Sequence, residues 1–187
     1  AVFLFMFLRN SFAWSFLRSG EILTDHHVNQ FYQKLLKKLG GSEAVCYRYF
    51  DETHSYRELY SVMLRLNAVL SGFRNKQVVL YAGKKFSSYP GIFSIILSKN
   101  IWLPLSPENP HPRNIETLDQ ANPFLLLHEG KTLPKPLSAY CAENKIDTLS
   151  LDEAIAGKEE REFESSGFKK DDIAYIMFTS GSTGVPK

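Results

Sequence analysis

The segment Thr179-Ser180-Gly181-Ser182-Thr183-Gly184-Val185-Pro186-Lys187 carries the residue types that hold polyanionic oxygens. Glycine lets a backbone come close and adopt positive φ, so successive N–H groups can point at one anion. The hydroxyls of Thr179, Ser180, Ser182 and Thr183 add short donors, and Lys187 adds a compact point charge that suits phosphate. The spacing is not that of a Walker A loop, because Gly184 is followed by Val185-Pro186-Lys187 rather than by Lys and a hydroxyl residue. The apolar run Ile173-Ala174-Tyr175-Ile176-Met177-Phe178 comes just before and reads as a buried strand. A flexible Gly/Ser/Thr linker would need neither that strand nor the ordered G-x-x-G-x-P-K spacing.

Such a segment needs a rigid frame. A chain of 187 residues with 44% apolar and 22% charged residues can bury a real core and is expected to be globular. A formal net charge of +2 is too small to point to nucleic acid or to a membrane surface. Among the five histidines His26 and His27 are adjacent while His54, His111 and His128 stand alone, a pattern that argues against zinc. Cys46 and Cys141 lie far apart and outside any C-x-x-C, which fits inert thiols in a reducing, cytoplasmic setting.

Residues 1–24 form an apolar N-terminal segment or linker, interrupted by Arg9 and Arg18. It is too short and broken for a transmembrane span and lacks the basic-then-apolar shape of a signal peptide. It reads as an amphipathic segment packed on a domain, with a membrane anchor as the alternative.

From there strands and helices alternate. Thr24 or Asp25 caps a helix through Leu39 that Gly40-Gly41 should end, and Ala44 to Phe50 reads as a strand followed by a turn over Asp51–His54. Ser55-Tyr56-Arg57-Glu58 is a capping box, opening a helix with Leu59, Val62, Met63, Leu66, Val69, Leu70 and Phe73 on one stripe. Strands are expected at Gln77–Tyr81, Ile101–Leu105, Pro123–Leu127 and Ile146–Leu151. Helices are expected from Ser87 or Ser88 through Leu97, over Arg113–Ala121, and over Leu137–Asn144. Ser106 to Pro112 is a rigid proline-rich loop, and Gly157 to Asp172 is a charged surface connection with apolar residues only at Phe163 and Phe168. The pattern implies an α/β fold: a mostly parallel sheet with helices on both faces and ligand sites at the strands' carboxyl ends.

The segment from Thr179 to Lys187 resembles the phosphate-binding loop of the adenylate-forming enzymes, [ST]-S-G-[ST]-T-G-x-P-K, at every position. That superfamily comprises acyl-CoA synthetases, luciferases and peptide-synthetase adenylation domains. Thr53-His54-Ser55-Tyr56-Arg57-Glu58-Leu59 looks like the family's T-Y-x-E-L helix signature with a displaced threonine. Leu97 to Pro110 resembles its L-K-A-G-G-A-Y-L-P-L-D-P-x-x-P block, with two departures: Ser98-Lys99-Asn100-Ile101 replaces K-A-G-G, and Ser106 stands where aspartate is usual. The likeness covers roughly Gly41 to Lys187 and is closest in look to the amino-acid adenylation domains of nonribosomal peptide synthetases.

The resemblance implies that residues 25–187 are the N-terminal part of an AMP-binding, adenylate-forming domain, truncated at the phosphate-binding loop. It implies activation of a carboxylic acid, an amino acid by preference, with ATP and Mg²⁺ to an acyl-adenylate. The acyl group then passes to a carrier-protein phosphopantetheine or to CoA. Thr179, Ser180, Gly181, Ser182, Thr183, Gly184 and Lys187 would hold the phosphates, with Lys187 also offsetting charge during catalysis. The Mg²⁺ ligands, the adenine and carboxylate pockets and the family's second lysine are expected after Lys187, so no metal ligand is assigned here. The chain alone is expected to be inactive and to need the remaining part of the domain. The alternatives are an acyl-CoA synthetase fragment or a non-catalytic remnant serving as a binding or scaffold module.

Overall fold

The computed structural model describes residues 24–178, which fall into two compact units. The smaller comprises residues 24–38 with Ser165–Asp172, and the larger comprises Leu39–Glu164 with residues 173–178. The apolar segment expected over 1–24 lies almost wholly outside the described residues.

Helix α1 (Asp25–Gly41) has Asp25 in its first turn and Lys38 in its last, the charges that suit its dipole. Gly40 and Gly41, expected to end the helix, form its last turn instead. Within the smaller unit, Asn29 uses its side chain as a strand uses its backbone. Its Nδ2 donates to the Phe168 carbonyl at 2.9 Å, and its Oδ1 accepts from the Phe168 N–H at 3.0 Å. Asp25 accepts from the Lys170 N–H at 2.8 Å, and the Tyr32 ring stacks on Phe168 with centroids 4.0 Å apart. The far end of the charged connection is thereby tied down.

In the larger unit, β1 (Val45–Tyr49) and β2 (Glu52–Ser55) form an antiparallel hairpin, with Tyr47 opposite His54 and Tyr49 opposite Glu52. This corrects the turn expected over Asp51–His54: cross-strand pairing overrides the weak strand propensity of Glu-Thr-His-Ser. Ser55 then opens α2 (Tyr56–Leu70). Its Oγ accepts from the Glu58 N–H at 3.2 Å, and the Glu58 carboxylate accepts from the Ser55 N–H at 2.7 Å. Ser55→Ala removes one half of this box and is expected to lower stability by about 1 kcal/mol, read as a shift in the urea midpoint. A midpoint unchanged in Ser55→Ala would mean that solvent serves the helix start equally well.

Four parallel strands make the main sheet: β3 (Gln77–Tyr81), β4 (Ile101–Leu105), β5 (Leu125–His128) and β6 (Asp147–Ser150), in the order β4-β3-β5-β6. Helices α3 (Ser88–Leu97), α4 (His111–Ala121), α5 (Lys135–Glu143) and α6 (Leu151–Ala156) complete the unit. One apolar cluster joins Leu66 and Leu70 of α2, Ile95 of α3 and Leu151 of α6 to Val78, Leu80 and Leu127. The other joins Leu118 of α4 and Leu137 and Cys141 of α5 to Val79, Leu103 and Leu126. Val78 and Val79, adjacent in sequence, thus serve opposite cores. Strands covered on both faces have no reason to alternate polar with apolar, which is why they read as apolar runs.

Packing on the first face is close at Gly91 of α3, where a Cβ would come within 3.3 Å of both Leu80 methyl groups. The stripe expected along α2 holds at Leu59, Met63, Leu66 and Leu70, but Val69 is exposed and Asn67 is buried in addition. Helix α6 is an element beyond the expected set. Ser150 caps it, accepting from the Glu153 N–H at 3.4 Å.

Beyond α6, residues 158–164 run as an extended strap over α2. Asn67 donates through Nδ2 to the carbonyls of Arg161 and Glu162, at 2.9 and 3.0 Å. Alternate glutamates take partners: Glu160 on Ser61 and Arg65, Glu162 on the Tyr60 hydroxyl, and Glu164 on Arg74 and Lys99. The charged sequence that reads as a surface connection is a docked one, with Phe163 buried beneath it.

Candidate functional site

The residues that pointed to phosphate chemistry, Thr179, Ser180, Gly181, Ser182, Thr183, Gly184 and Lys187, lie outside the described residues. Their approach is described. Trp102 of β4 donates to the Ala174 carbonyl at 3.0 Å, and Ile176 donates back to the Trp102 carbonyl at 2.9 Å. These bonds make a parallel bridge between Trp102 and Tyr175 on the outer side of β4. Counted along that register, Phe178 comes level with Leu105, the carboxyl end of β4.

The approach segment is an edge rather than the buried strand expected. Ile176 and Phe178 pack on the second core, while Ile173, Tyr175 and Met177 are exposed. Alternate residues of an edge strand face opposite ways, and among the described residues only one face finds a covering layer.

The carboxyl rim of the sheet has a further feature. From β3 the chain crosses over the first face by α3, and from β5 it crosses over the second face by α5. Connections leaving neighbouring strands on opposite faces open a crevice between their carboxyl ends. Glu129, just past β5, spans it: one carboxylate oxygen accepts from the Gly83 N–H at 3.1 Å and the other from the Ser87 hydroxyl at 3.3 Å. Sequence reasoning passed over Glu129. The available signal was a carboxylate two residues past the apolar run Leu125-Leu126-Leu127, after His128, at a strand's carboxyl end.

The proline-rich block keeps its shape despite its departures. Ser106, standing where aspartate is usual, accepts from the Glu108 N–H at 3.1 Å through its hydroxyl, as a turn-capping carboxylate would. Its carbonyl accepts from Asn114 Nδ2 at 2.9 Å, which pins the loop to α4. Lys99 takes a left-handed backbone with φ 63, a conformation that favours glycine. Asn100 beside it is 1% exposed and bonds the end of α2 to the start of β3 and β4.

The histidines occupy separate places. His54 stacks on Phe86 at 3.7 Å and His128 is buried at the end of β5. Among the described residues no three His, Cys, Asp or Glu side chains come together as a metal site. Both thiols are unpaired, and burial pushes the Cys46 and Cys141 thiols up, away from the reactive thiolate. Burial, with the Asp119 carboxylate second, pushes Tyr140 up to about 12. No helix among the described residues is long and apolar enough to cross a membrane.

The chain is 31% identical to indigoidine synthase of Dickeya dadantii over 152 residues, which cover 77% of this chain and 10% of that protein. It is 30% identical to nonribosomal peptide synthetase sidC of Aspergillus fumigatus over 124 residues, 62% of this chain and 2% of that one. Its fold superposes on ATP-bound MatB from Rhodopseudomonas palustris with a TM-score of 0.72 at 20% identity, covering 85% of this chain and 34% of that structure. The chain therefore spans a small part of the curated relatives and about a third of that structure. The AMP-binding enzyme family model matches residues 33–187, from α1 through the glycine-rich segment. With that match running the length of the described sheet and on to Lys187, the chain belongs to the AMP-binding enzymes, the adenylate-forming superfamily, and is similar to peptide synthetases.

Proposed function

We propose that residues 25–187 are the front part of an amino-acid-activating adenylation domain, with residues 1–24 a preceding apolar segment. The observation that carries this reading is the register at Trp102 and Tyr175. It brings Phe178, the last described residue before the glycine-rich sequence, level with the carboxyl end of β4, and ligands of parallel sheets bind at such ends.

The glycine-rich segment would hold the β- and γ-phosphates of ATP. Hydroxyls of Thr179, Ser180, Ser182 and Thr183 would donate to phosphate oxygens, Gly181 and Gly184 would allow close backbone approach, and Lys187 would offset charge. Mg²⁺, held by residues outside the described ones, would neutralise phosphate charge. A carboxylate oxygen attacks the α-phosphorus, the bond to the β-phosphate oxygen breaks, and pyrophosphate leaves. A phosphopantetheine thiol then attacks the acyl carbon and AMP leaves. The preference for an amino acid rests on the likeness of the Leu97–Pro110 block and on the peptide-synthetase relatives. The reducing setting implied by two unpaired thiols supports a cytoplasmic location. The isolated 187-residue chain would not complete adenylation, since it spans about a third of the structure it superposes on.

Pyrophosphate exchange into ATP tests this. The protein carrying this chain within its whole adenylation domain is expected to exchange only when one or a few amino acids are supplied. The 187-residue chain alone is expected to show none. Exchange driven by aryl or alkyl acids and by no amino acid would instead favour an acyl-CoA synthetase type of ligase. Carboxylate-dependent exchange by the isolated chain would overturn the claim that it is incomplete.

A further inference from the structure

At the amino ends of β3 and β4, opposite the rim that Phe178 reaches, the larger unit has a shallow pocket beside the strap. Two of the residues that line it carry a buried polar atom with no hydrogen-bond partner among the described residues: Asn67 Oδ1 and Ser71 Oγ. Asn67 is 2% exposed, and its amide orientation is fixed because Nδ2 must be the atom that meets the carbonyls of Arg161 and Glu162. Its Oδ1 can therefore only accept, and a buried acceptor left empty costs about 1–3 kcal/mol.

Cations line the same pocket. Lys99, its side chain 8% exposed, meets Glu164 at 2.9 Å, and Arg74 meets the other oxygen of that carboxylate. Arg161 adds a guanidinium with no ion pair among the described residues. Against Arg74, Lys99 and Arg161 stand the carboxylates of Glu162 and Glu164, so the lining carries one net positive charge. The Glu162 carboxylate is taken up by the Tyr60 hydroxyl at 2.7 Å.

A ligand that suits this lining is anionic, small, and carries a hydrogen for the Asn67 acceptor. We propose that the pocket binds a small oxyanion bearing at least one hydroxyl, of which hydrogen phosphate is the simplest. The proposal does not depend on the adenylation chemistry proposed above. Arg161 supplies charge, Ser71 Oγ donates or accepts, and Asn67 Oδ1 selects for the protonated oxygen.

Titration calorimetry at pH 7 and constant ionic strength tests the site with two probes, inorganic phosphate and sulfate. Phosphate keeps an O–H at that pH, whereas sulfate has none. Both titrations are run on the Lys187→Ala protein, which weakens any anion held by the glycine-rich segment, and the Arg161→Ala change made in it assigns the remaining heat to the pocket. Phosphate is expected to saturate a single site and to bind about tenfold or more tighter than sulfate. Arg161→Ala, at an exposed position, is expected to weaken phosphate about tenfold, and Ser71→Ala to narrow the gap between the two anions. Equal affinity for phosphate and sulfate, no saturable heat, or binding indifferent to Arg161→Ala would each overturn the proposal.

Discussion

Replacing Asn100 with alanine is expected to lower the unfolding free energy by about 3 kcal/mol, among the largest losses available to a single polar substitution here. Asn100 sits at a junction. Its Nδ2 donates to the carbonyls of Leu70 and Phe73, at 3.2 and 3.0 Å, and to Ser98 Oγ at 3.1 Å. Its Oδ1 accepts from the Lys76 N–H at 3.2 Å. One side chain thus serves the last turn of α2, the entry to β3 and the entry to β4. Alanine leaves those carbonyls and the Lys76 N–H without partners in a place where water has little access, and it opens a void the size of an amide. A buried unsatisfied group costs about 1–3 kcal/mol, and removing one partner of a network is worse than removing both. Asn100→Asp is expected to do no better: it keeps the acceptor, loses both N–H donors and buries a charge. Denaturant unfolding of Asn100→Ala beside Ser98→Ala decides the matter. Ser98 Oγ donates to the Ile95 carbonyl at 3.0 Å, so its loss should cost about 1 kcal/mol. Equal small losses for the two variants would mean that Asn100 is a filler and not a junction.

The same junction shows what the sequence reveals and what it hides. Periodicity finds β3, β4 and β5, because strands buried on both faces must be apolar throughout. The Ser55 box is legible because both halves of it are local. Asn100 reads only as a departure from the family's glycines, since its partners lie up to 30 residues away in the chain. Hairpin β1–β2 escapes for a related reason: its second strand is held by pairing rather than by its own residues. Helix α6 was within reach, as Ser150-Leu151-Asp152-Glu153 has the form of a cap three residues ahead of its glutamate. The strap over α2 was not. Alternating glutamates signal solvent unless one knows that Arg65, Tyr60, Arg74 and Lys99 face them. Ile173–Phe178 is apolar on both sides, as a buried strand is, yet only one side is covered among the described residues. Composition reports what a segment can bury, whereas burial depends on what lies opposite.

For the proposed phosphate site, the case rests on composition and spacing. Within the whole adenylation domain proposed above, Lys187→Ala is expected to slow carboxylate-dependent pyrophosphate exchange about 10²- to 10³-fold, the usual cost of losing one preorganised donor where charge develops. As pyrophosphate departs, negative charge builds on the oxygen that joins it to the α-phosphorus, and a fixed cation helps only if it is already in place. Two comparisons separate this role from a merely structural one. The unfolding midpoint of Lys187→Ala should match wild type, because a lysine that serves the phosphates adds nothing to the apolar cores. The loss should fall mainly on kcat, with the KM for the carboxylate little changed, because the interaction is strongest in the transition state. Lys187→Arg is expected to recover little of the rate, since a planar guanidinium replaces a compact ammonium. Exchange within about threefold of wild type in Lys187→Ala would remove Lys187 from the chemistry and leave the phosphates to the glycines and hydroxyls of Thr179–Gly184.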